Sequence, residues 1–511
     1  MICLQNVSFA YQDSEADGVR QLSLHVQTGE CLLLCGRSGC GKTTVTRLIN
    51  GLIPHFYNGG LTGRVEVAGM DIAASPMYAI AAKVGSVFQN PRSQFFNVDT
   101  DSEIAFGLEN MAYPADEIGR RVAQTARELK LEKLLNRNIF ALSGGEKQSI
   151  AFASVFALSP AVYVLDEPSA NLDARAITEL RNLLRLLKAQ GKTIVIAEHR
   201  LHYLQDIADR IVYLENGSIR AEYTGREFWQ LDAAARRKQG LRAGDLRTVG
   251  LPPGPKQPDN PVLELHNLTI ARDRRTIVTD IRLTASRGDI IGVIGNNGSG
   301  KSTLVQTLCG LRQEQAGRFC WEGRPVDRQQ RLALAYIVLQ DVNHQLFAET
   351  VEEECLLGNR QPDKEEVTAV LCRLSLEEYR DRHPMSLSGG QKQRVAVAVS
   401  QLCNKEILIF DEPTSGLDCV SMLEVSRLIG DLAAAGKVIF VVTHDYELLV
   451  HICNRVIWLA DGAVRGSFAV GADTAGKLLA YFVDRGEISR TVEDGSLPGK
   501  EQVINNENES G

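Results

Sequence analysis

The segment "GRSGCGKTT", Gly36–Thr44, decides how this chain must fold. It follows the apolar run "ECLLLC", and a Gly-x-x-x-x-Gly-Lys-Ser/Thr loop works only between a strand and a helix. Its glycines let backbone N–H groups close around phosphate oxygens, at a helix N-terminus that already favours anions. Gly36, Gly39 and Gly41 supply that backbone, Lys42 reaches the β- and γ-phosphates, and Thr43 offers a hydroxyl to Mg²⁺, with Thr44 counted among the nucleotide contacts. The pattern returns as "GNNGSGKST", Gly295–Thr303, after "DIIGVI". There Gly295, Gly298, Gly300, Lys301, Ser302 and Thr303 take the same places.

Working outward from the two loops, the whole chain repeats. "LSGGEKQ" (Leu142–Gln148) returns as "LSGGQKQ" (Leu387–Gln393), and "VLDEPSANLD" (Val164–Asp173) as "IFDEPTSGLD" (Ile409–Asp418). "EHR" at Glu198–Arg200 returns as "THD" at Thr443–Asp445. The offset between these copies is constant (411 − 166 = 245), so no net insertion separates them. Upstream, the first copy carries an extra "PHFYNGG" region. Ile177, Leu180, Leu183, Leu184 and Leu187 fall at helical spacing, as do Met422, Val425, Leu428, Ile429 and Leu432, and each set predicts a core-facing helix. Strand, glycine loop, helix, then further strands alternating with helices predict an α/β fold with a mainly parallel sheet in each half. Residues 97–141 are charged, helical in pattern and poor in strand signals, so they read as a helical subdomain, with 351–386 as its counterpart. The expected organisation is one domain over 1–235, a Pro-, Gly- and charge-rich linker over 236–261, a second domain over 262–485, and a polar, disordered tail over 486–511.

At 511 residues the chain is too long for one ordinary domain, and 44% hydrophobic with 23% charged residues is a soluble globular balance. A net charge of −7 gives no electrostatic reason to expect a nucleic-acid partner. No apolar run approaches the roughly 18–20 residues that span a bilayer, so direct membrane insertion is not expected. The start, "MICLQNVSFAY", reads as a strand rather than a signal peptide. Eleven scattered cysteines suit a reducing cytosol, and Cys31, Cys35 and Cys40 read as core thiols rather than metal ligands.

"VYVLDE" and "ILIFDE" are apolar strands ending in paired carboxylates, which suits a metal site at a sheet edge. Asp166 and Asp411 are placed to hold Mg²⁺ through water, and Glu167 and Glu412 to orient and polarise an attacking water. A plain helix cap is the structural alternative. His199 and His444 follow the strands "TIVIA" and "VIFVV" and read as γ-phosphate contacts. Leu-Ser-Gly-Gly-x-x-Gln presents Ser143, Gly144 and Gly145, and again Ser388, Gly389 and Gly390, at the start of a predicted helix. One ATP cannot need two such cradles from one domain, but it can need one from each of two.

Together these motifs resemble the ATP-binding cassette proteins, over about 1–235 and 262–470. The resemblance implies two tandem cassettes, each a P-loop NTPase core with a mainly parallel sheet, an antiparallel β portion and a helical subdomain. It implies ATP hydrolysis with Mg²⁺ at two sites formed head to tail. One would join Lys42, Thr43, Gln89, Asp166, Glu167 and His199 to Ser388–Gly390; the other would join Lys301, Ser302, Gln340, Asp411, Glu412 and His444 to Ser143–Gly145. In this family an aromatic residue stacks on adenine, a place Tyr11 fits; aligning "NVSFAY" with "NLTIAR" puts Arg272 there in the second copy. Ser149 stands where the family commonly has arginine, so two working but unequal sites are expected.

The stretch "VFQNPRSQFF" (Val87–Phe96), echoed by "VLQDVNHQLF" (Val338–Phe347), resembles the energy-coupling-factor ATPases that power vitamin and cobalt or nickel uptake. By that resemblance Gln89 and Gln340 reach Mg²⁺ or the attacking water, while the following loop receives a coupling helix from a membrane subunit. The implied partners are a coupling transmembrane protein and a small substrate-binding membrane protein, and the implied place is the cytoplasmic face of the membrane. A twin-cassette sugar importer and a translation-associated twin cassette are the alternatives. The latter usually carries a long, charged, helical linker, which 236–261 does not resemble.

Overall fold

The computed structural model describes residues 1–12, 14–170, 172–251, 260–272, 275–357 and 363–483. The tail expected over 486–511, and 252–259 of the expected linker, lie outside them.

The first half runs β1 (Ile2–Tyr11), β2 (Ser14–Val26), β3 (Cys31–Cys35), β4 (Gly59–Val67), β5 (Met70–Asp71), β6 (Val84–Val87), β7 (Val162–Asp166), β8 (Thr193–Ala197), β9 (Arg210–Glu215) and β10 (Ser218–Thr224). These form an antiparallel sheet, β2-β1-β4-β5, and a sheet ordered β10-β9-β3-β8-β7-β6 that is parallel except for β10. The second half continues with β11 (Leu263–Arg272), β12 (Arg275–Ala285), β13 (Ile290–Ile294), β14 (Ala316–Trp321), β15 (Arg324–Pro325) and β16 (Ala335–Val338). It ends with β17 (Ile407–Asp411), β18 (Val438–Val442), β19 (Arg455–Ala460) and β20 (Ala463–Ala469). The same order recurs there, its two parts joined through Thr279 and Ala463 into one sheet.

The parallel strands "CLLLC", "TIVIA", "VIFVV" and "IIGVI" are buried at every residue, as strands covered on both faces must be. The helices Ala174–Ala189 and Cys419–Ala434 cover them. They bury Ile177, Leu180, Leu184 and Leu187 in one half and Met422, Val425, Leu428, Ile429 and Leu432 in the other, as the periodicity predicts; Leu183 is partly buried. Cys31, Cys35 and Cys40 are buried, and burial pushes the Cys31 thiol up to about 12. Helices Thr100–Asn110 and Ala115–Glu128 pack with Gly144–Leu158 around Ile104, Leu108 and Ile150, giving the subdomain expected over 97–141. Val351–Leu356 and Lys364–Arg373 are its counterpart against Gly389–Leu402.

Candidate nucleotide sites

Parallel alignment brings the strand tips that carry the candidate residues to one edge of each sheet. Beyond β3 lies the first phosphate loop, beyond β6 Gln89, at the end of β7 Asp166 and Glu167, and beyond β8 His199. Strands β13, β16, β17 and β18 deliver the second loop, Gln340, Asp411 with Glu412, and His444. Glycine is required at Gly36 and Gly295. With φ of 143° and 156°, a Cβ there would sit 2.3 Å from Leu214 O and 2.4 Å from Leu459 O. Gly41 and Gly300, at φ 102° and 99°, start the helices Lys42–Ile49 and Lys301–Leu308, whose first N–H groups face the loops.

Lys42 Nζ donates to the carbonyls of Gly36 and Arg37, each at 3.0 Å, and Lys301 Nζ to Gly295 O at 2.7 Å and Asn296 O at 3.2 Å. Both ammonium groups are therefore held at their loops. Thr43 Oγ1 donates to Asp166 Oδ1 at 3.2 Å, and Ser302 hydrogen-bonds Asp411. Burial, then the neighbouring Glu167 charge, pushes Asp166 up to about 6, and burial also raises Asp411. Paired hydroxyl and carboxylate oxygens are a donor set that fits Mg²⁺.

Glu167 and Glu412 both adopt left-handed backbone, φ 47° and 52°, a conformation costly for a non-glycine residue and concentrated at functional sites. Glu167 Oε2 accepts from Gln89 Nε2 at 2.7 Å, and its Oε1 lies 3.3 Å from His199 Nε2. Burial raises the Glu167 pKa, but the electrostatic interaction and hydrogen bond with His199 outweigh it and hold the carboxyl below its usual range. In the second half His444 N donates to Glu412 Oε2 at 3.2 Å, while His444 Nε2 lies 3.5 Å from Glu412 Oε1 and 3.2 Å from Asn297 Oδ1. Burial and the Asp411 charge push Glu412 up to about 7. Equivalent carboxylates thus sit in unequal surroundings.

A cavity of about 210 Å³ in the second half is lined by Lys301, Ser302, Gln340, Asp411, Glu412 and Arg272, so the arginine aligned with Tyr11 does reach the site. Thr303 lies on the same wall. Tyr11 OH hydrogen-bonds Thr44 Oγ1 at 3.2 Å and accepts from Arg47 Nη1 at 2.9 Å, beside the first loop. Ser143 and Ser388 cap their helices through reciprocal bonds with Glu146 and Gln391, so their hydrogen bonds stay within their own helix ends. A Cβ at Gly144 or Gly389 would meet open space, whereas at Gly145 or Gly390 it would meet Ala176 or Leu417.

The two halves face each other head to tail through residues to which the sequence reading gave no role. Asp418 Oδ2 accepts from Ser38 N in the first phosphate loop at 2.6 Å, and Asp173 Oδ2 accepts from Asn297 N in the second at 2.7 Å. Ser415 Oγ donates to Ala170 O at 2.6 Å. Residues 170 and 415 are equivalent positions, and equivalents can touch only at the axis relating the halves. A Cβ on Gly416 would lie 2.9 Å from Gln89 Nε2 and 3.1 Å from Glu167 Oε2, so the second half closes over the first site. The signal for Asp173 and Asp418 was present, since each ends a repeated motif.

Twin α/β cassettes with paired phosphate loops define a tandem P-loop ATPase. A family model described as "ABC transporter" matches residues 19–170 and 278–415, and the chain belongs to that family of ATP-hydrolysing proteins. It is 47% identical over 470 residues to a protein of Treponema denticola provisionally named an ABC transporter ATP-binding protein, covering 91% of this chain and 96% of that one. It is 30% identical over 497 residues, 90% of each chain, to a Bacillus subtilis protein provisionally named an HMP/thiamine import ATP-binding protein. The fold matches a chain in a ribosome-bound complex of archaeal Pelota and ABCE1 with a TM-score of 0.67 and 21% identity, covering 91% of this chain and 78% of that one. Among the described residues no helix is long and apolar enough to cross a membrane.

Proposed function

We propose that this chain is the ATP-hydrolysing motor of a membrane importer of the energy-coupling-factor type, for a vitamin or a cobalt or nickel ion. It would act peripherally at the cytoplasmic face, on a coupling transmembrane protein with a small substrate-binding companion. The observation that carries this reading lies beyond the nucleotide-site glutamines. Phe96 and Phe347 follow Gln89 and Gln340 and are 73% and 77% exposed. Their backbones are nevertheless fixed: buried Glu103 Oε2 accepts from Phe96 N and Asn97 N at 3.1 and 2.9 Å, and buried Glu354 Oε2 from Phe347 N and Ala348 N at 2.7 and 2.8 Å. Gln94 and Gln345 brace the same loops from inside, through Ser86 O and Ile337 O. Phe95 is partly buried against the subdomain core, so the outer ring of the pair is the one left for a partner. Two rigidly presented aromatics, one per half, suit the reception of two coupling helices. The similarity to a protein provisionally named for HMP/thiamine import supports the vitamin arm.

In this reading Lys42 and Lys301, with the loop amides, hold the phosphates, and Ser143–Gly145 and Ser388–Gly390 complete the opposite sites. Tyr11 and Arg272 support the bases. Thr43, Gln89 and Asp166, and Ser302, Gln340 and Asp411, would hold Mg²⁺, which would neutralise charge on the transferring phosphoryl group. Glu167 and Glu412 orient the attacking water and accept its proton, and His199 and His444 steady the carboxylate and the γ-phosphate end. Closure of the halves moves the Phe96 and Phe347 loops together, and product release reopens them.

Capture of tagged full-length chain from gently solubilised membranes tests this, with identification of co-eluting proteins by mass spectrometry. Recovery of a polytopic membrane protein with a small multi-span companion is expected, and should disappear on joint Phe96→Asp and Phe347→Asp replacement. Ribosomal proteins without any membrane protein would overturn the assignment.

A further inference from the structure

The stretch after the first half carries a residue that composition conceals. Arg242 is 2% exposed. Its Nε and Nη2 donate to Leu417 O at 3.2 and 3.0 Å, and its Nη1 donates to Asp445 Oδ2 at 2.6 Å. The same carboxylate oxygen accepts from Thr414 Oγ1 at 2.9 Å. Arg242 and Asp445 therefore hold both ends of the turn 414–417. That turn presents Gly416 to Gln89 and Glu167, and Asp418 to the first phosphate loop.

In the first half the equivalent residues Ser169 and Leu172 are held by a different route. Arg200, the residue after His199, donates through Nη1 to Ser169 O and to Leu172 O, each at 3.4 Å. Leu172 and Leu417 are equivalent positions (417 − 172 = 245), as are Ser169 and Thr414, and as are Arg200 and Asp445. One carbonyl thus receives a guanidinium in both halves. In the first half its own cassette supplies it. In the second, position 200's counterpart is an acid, and that acid draws in an arginine from outside the cassette.

The rest of the segment is seated to deliver it. Gly240 O accepts from Cys419 N at 3.3 Å, and Ala243 N donates to Glu447 Oε2 at 3.2 Å. A Cβ on Gly240 would stand 2.9 Å from the Arg37 side chain and 3.3 Å from Val420, so the segment lies between the first phosphate loop and the helix Cys419–Ala434. Hydrogen bonds from a charged group are the strong ones, and the guanidinium fork reaches a carbonyl and a carboxylate at once, which an ammonium cannot do with the same geometry.

We propose that Arg242 is a positioning residue of the first nucleotide site, supplied by the inter-half segment in place of the arginine that the second half lacks at position 445. It touches no substrate; it acts through the turn 414–417. The segment is then part of that site rather than a tether. The inference rests on the reading above that the Gln89–Glu167 cluster hydrolyses ATP.

The test is vanadate trapping of 8-azido-ATP by the full-length chain, followed by cross-linking and separate quantification of labelled peptides from each half. Arg242→Gln should cut the label on first-half peptides about tenfold, the scale of a lost charged hydrogen bond, and change the second-half label far less. Arg200→Gln should do the reverse, because Arg200 holds Ser169 O and Leu172 O, next to the Asp173 that meets the second phosphate loop. Arg247→Gln, at an exposed arginine of the same segment, should trap like wild type. Arg242→Lys keeps the charge beside Asp445 without the forked grip on Leu417 O; it should show the same selective loss in weaker form even if the glutamine variant does not fold. Equal loss at both halves, or no loss, in the lysine and glutamine variants would overturn the proposal. Wild-type chain that traps no label in its first half would overturn the site reading on which it rests.

Discussion

Replacing Asp418 with asparagine separates folding from closure. Its carboxylate serves two clients: Oδ1 accepts from Ser421 N at 2.7 Å, capping the helix Cys419–Ala434, and Oδ2 accepts from Ser38 N at 2.6 Å in the opposite phosphate loop. Burial raises its pKa, but the N–H groups of Ser38 and Ser421 prevail and hold it below the usual carboxylate range, so the group is charged at neutral pH. Asparagine caps a helix about as well as aspartate, so thermal stability should change by less than about 1 kcal/mol. Asparagine has one oxygen, however, and once that oxygen caps the helix its NH₂ faces the Ser38 N–H, donor against donor. The loss is then that of a charged hydrogen bond, about 1.5–3 kcal/mol, felt only when the halves are closed. At about 1.4 kcal/mol per decade, ATP turnover at saturating substrate should fall by about ten- to hundredfold. The assay is steady-state phosphate release by purified full-length protein, with the unfolding midpoint measured in parallel. Turnover within about twofold of wild type would refute the claim that this contact carries closure, and so would a turnover loss explained entirely by a lowered midpoint.

Three further outcomes are expected. Glu167→Gln and Glu412→Gln, made separately, should reduce turnover unequally, because Glu167 is gripped by Gln89 at 2.7 Å while Glu412 is pushed up to about 7 by burial and Asp411; identical steady-state losses would contradict this. Leu184→Ala empties a fully buried place in the first half's core and should cost about 2–5 kcal/mol, lowering that half's unfolding midpoint by about 4–20 °C in calorimetry. Asp445 should stabilise the chain in a pH-dependent way. Burial raises its pKa, but the Arg242 and Arg200 charges prevail and lower it to about 2. Its folded value is below its unfolded value of about 3.9, so its contribution is complete above the unfolded value and is lost as pH falls toward the folded one. The stability gap between wild type and Asp445→Asn, measured by chemical denaturation, should be constant from neutral pH down to about 5 and shrink below about 4.

The candidate edge of each half was legible because its motifs are local in sequence. A phosphate loop, a strand ending in Asp-Glu and a strand ending before histidine each declare themselves within ten residues, and parallel pairing then does the assembly. The antiparallel sheet and helical subdomain followed from the family resemblance and from the charge pattern of 97–141. What stayed hidden is what depends on the other half. Asp173 and Asp418 look like ordinary helix caps until the facing phosphate loop is in place, and each indeed does cap a helix. Arg242 sits among prolines, glycines and charges whose composition reads as linker, and one buried arginine leaves no periodicity to detect. The left-handed backbone of Glu167 and Glu412 is equally invisible, since nothing in the residue type asks for it. Phe95 and Phe96 show the limit most plainly: adjacent, chemically identical residues, one partly buried against a core and the other 73% exposed.

The central claim is that one chain builds two composite ATP sites from its own halves. Equilibrium binding of radiolabelled ATP to the Glu167→Gln, Glu412→Gln double variant tests it directly, with molar mass followed by light scattering as protein concentration is varied. Two ATP per chain, with the mass of a single chain at every concentration, is the predicted result. One ATP per chain, or binding that appears only as chains associate, would contradict it.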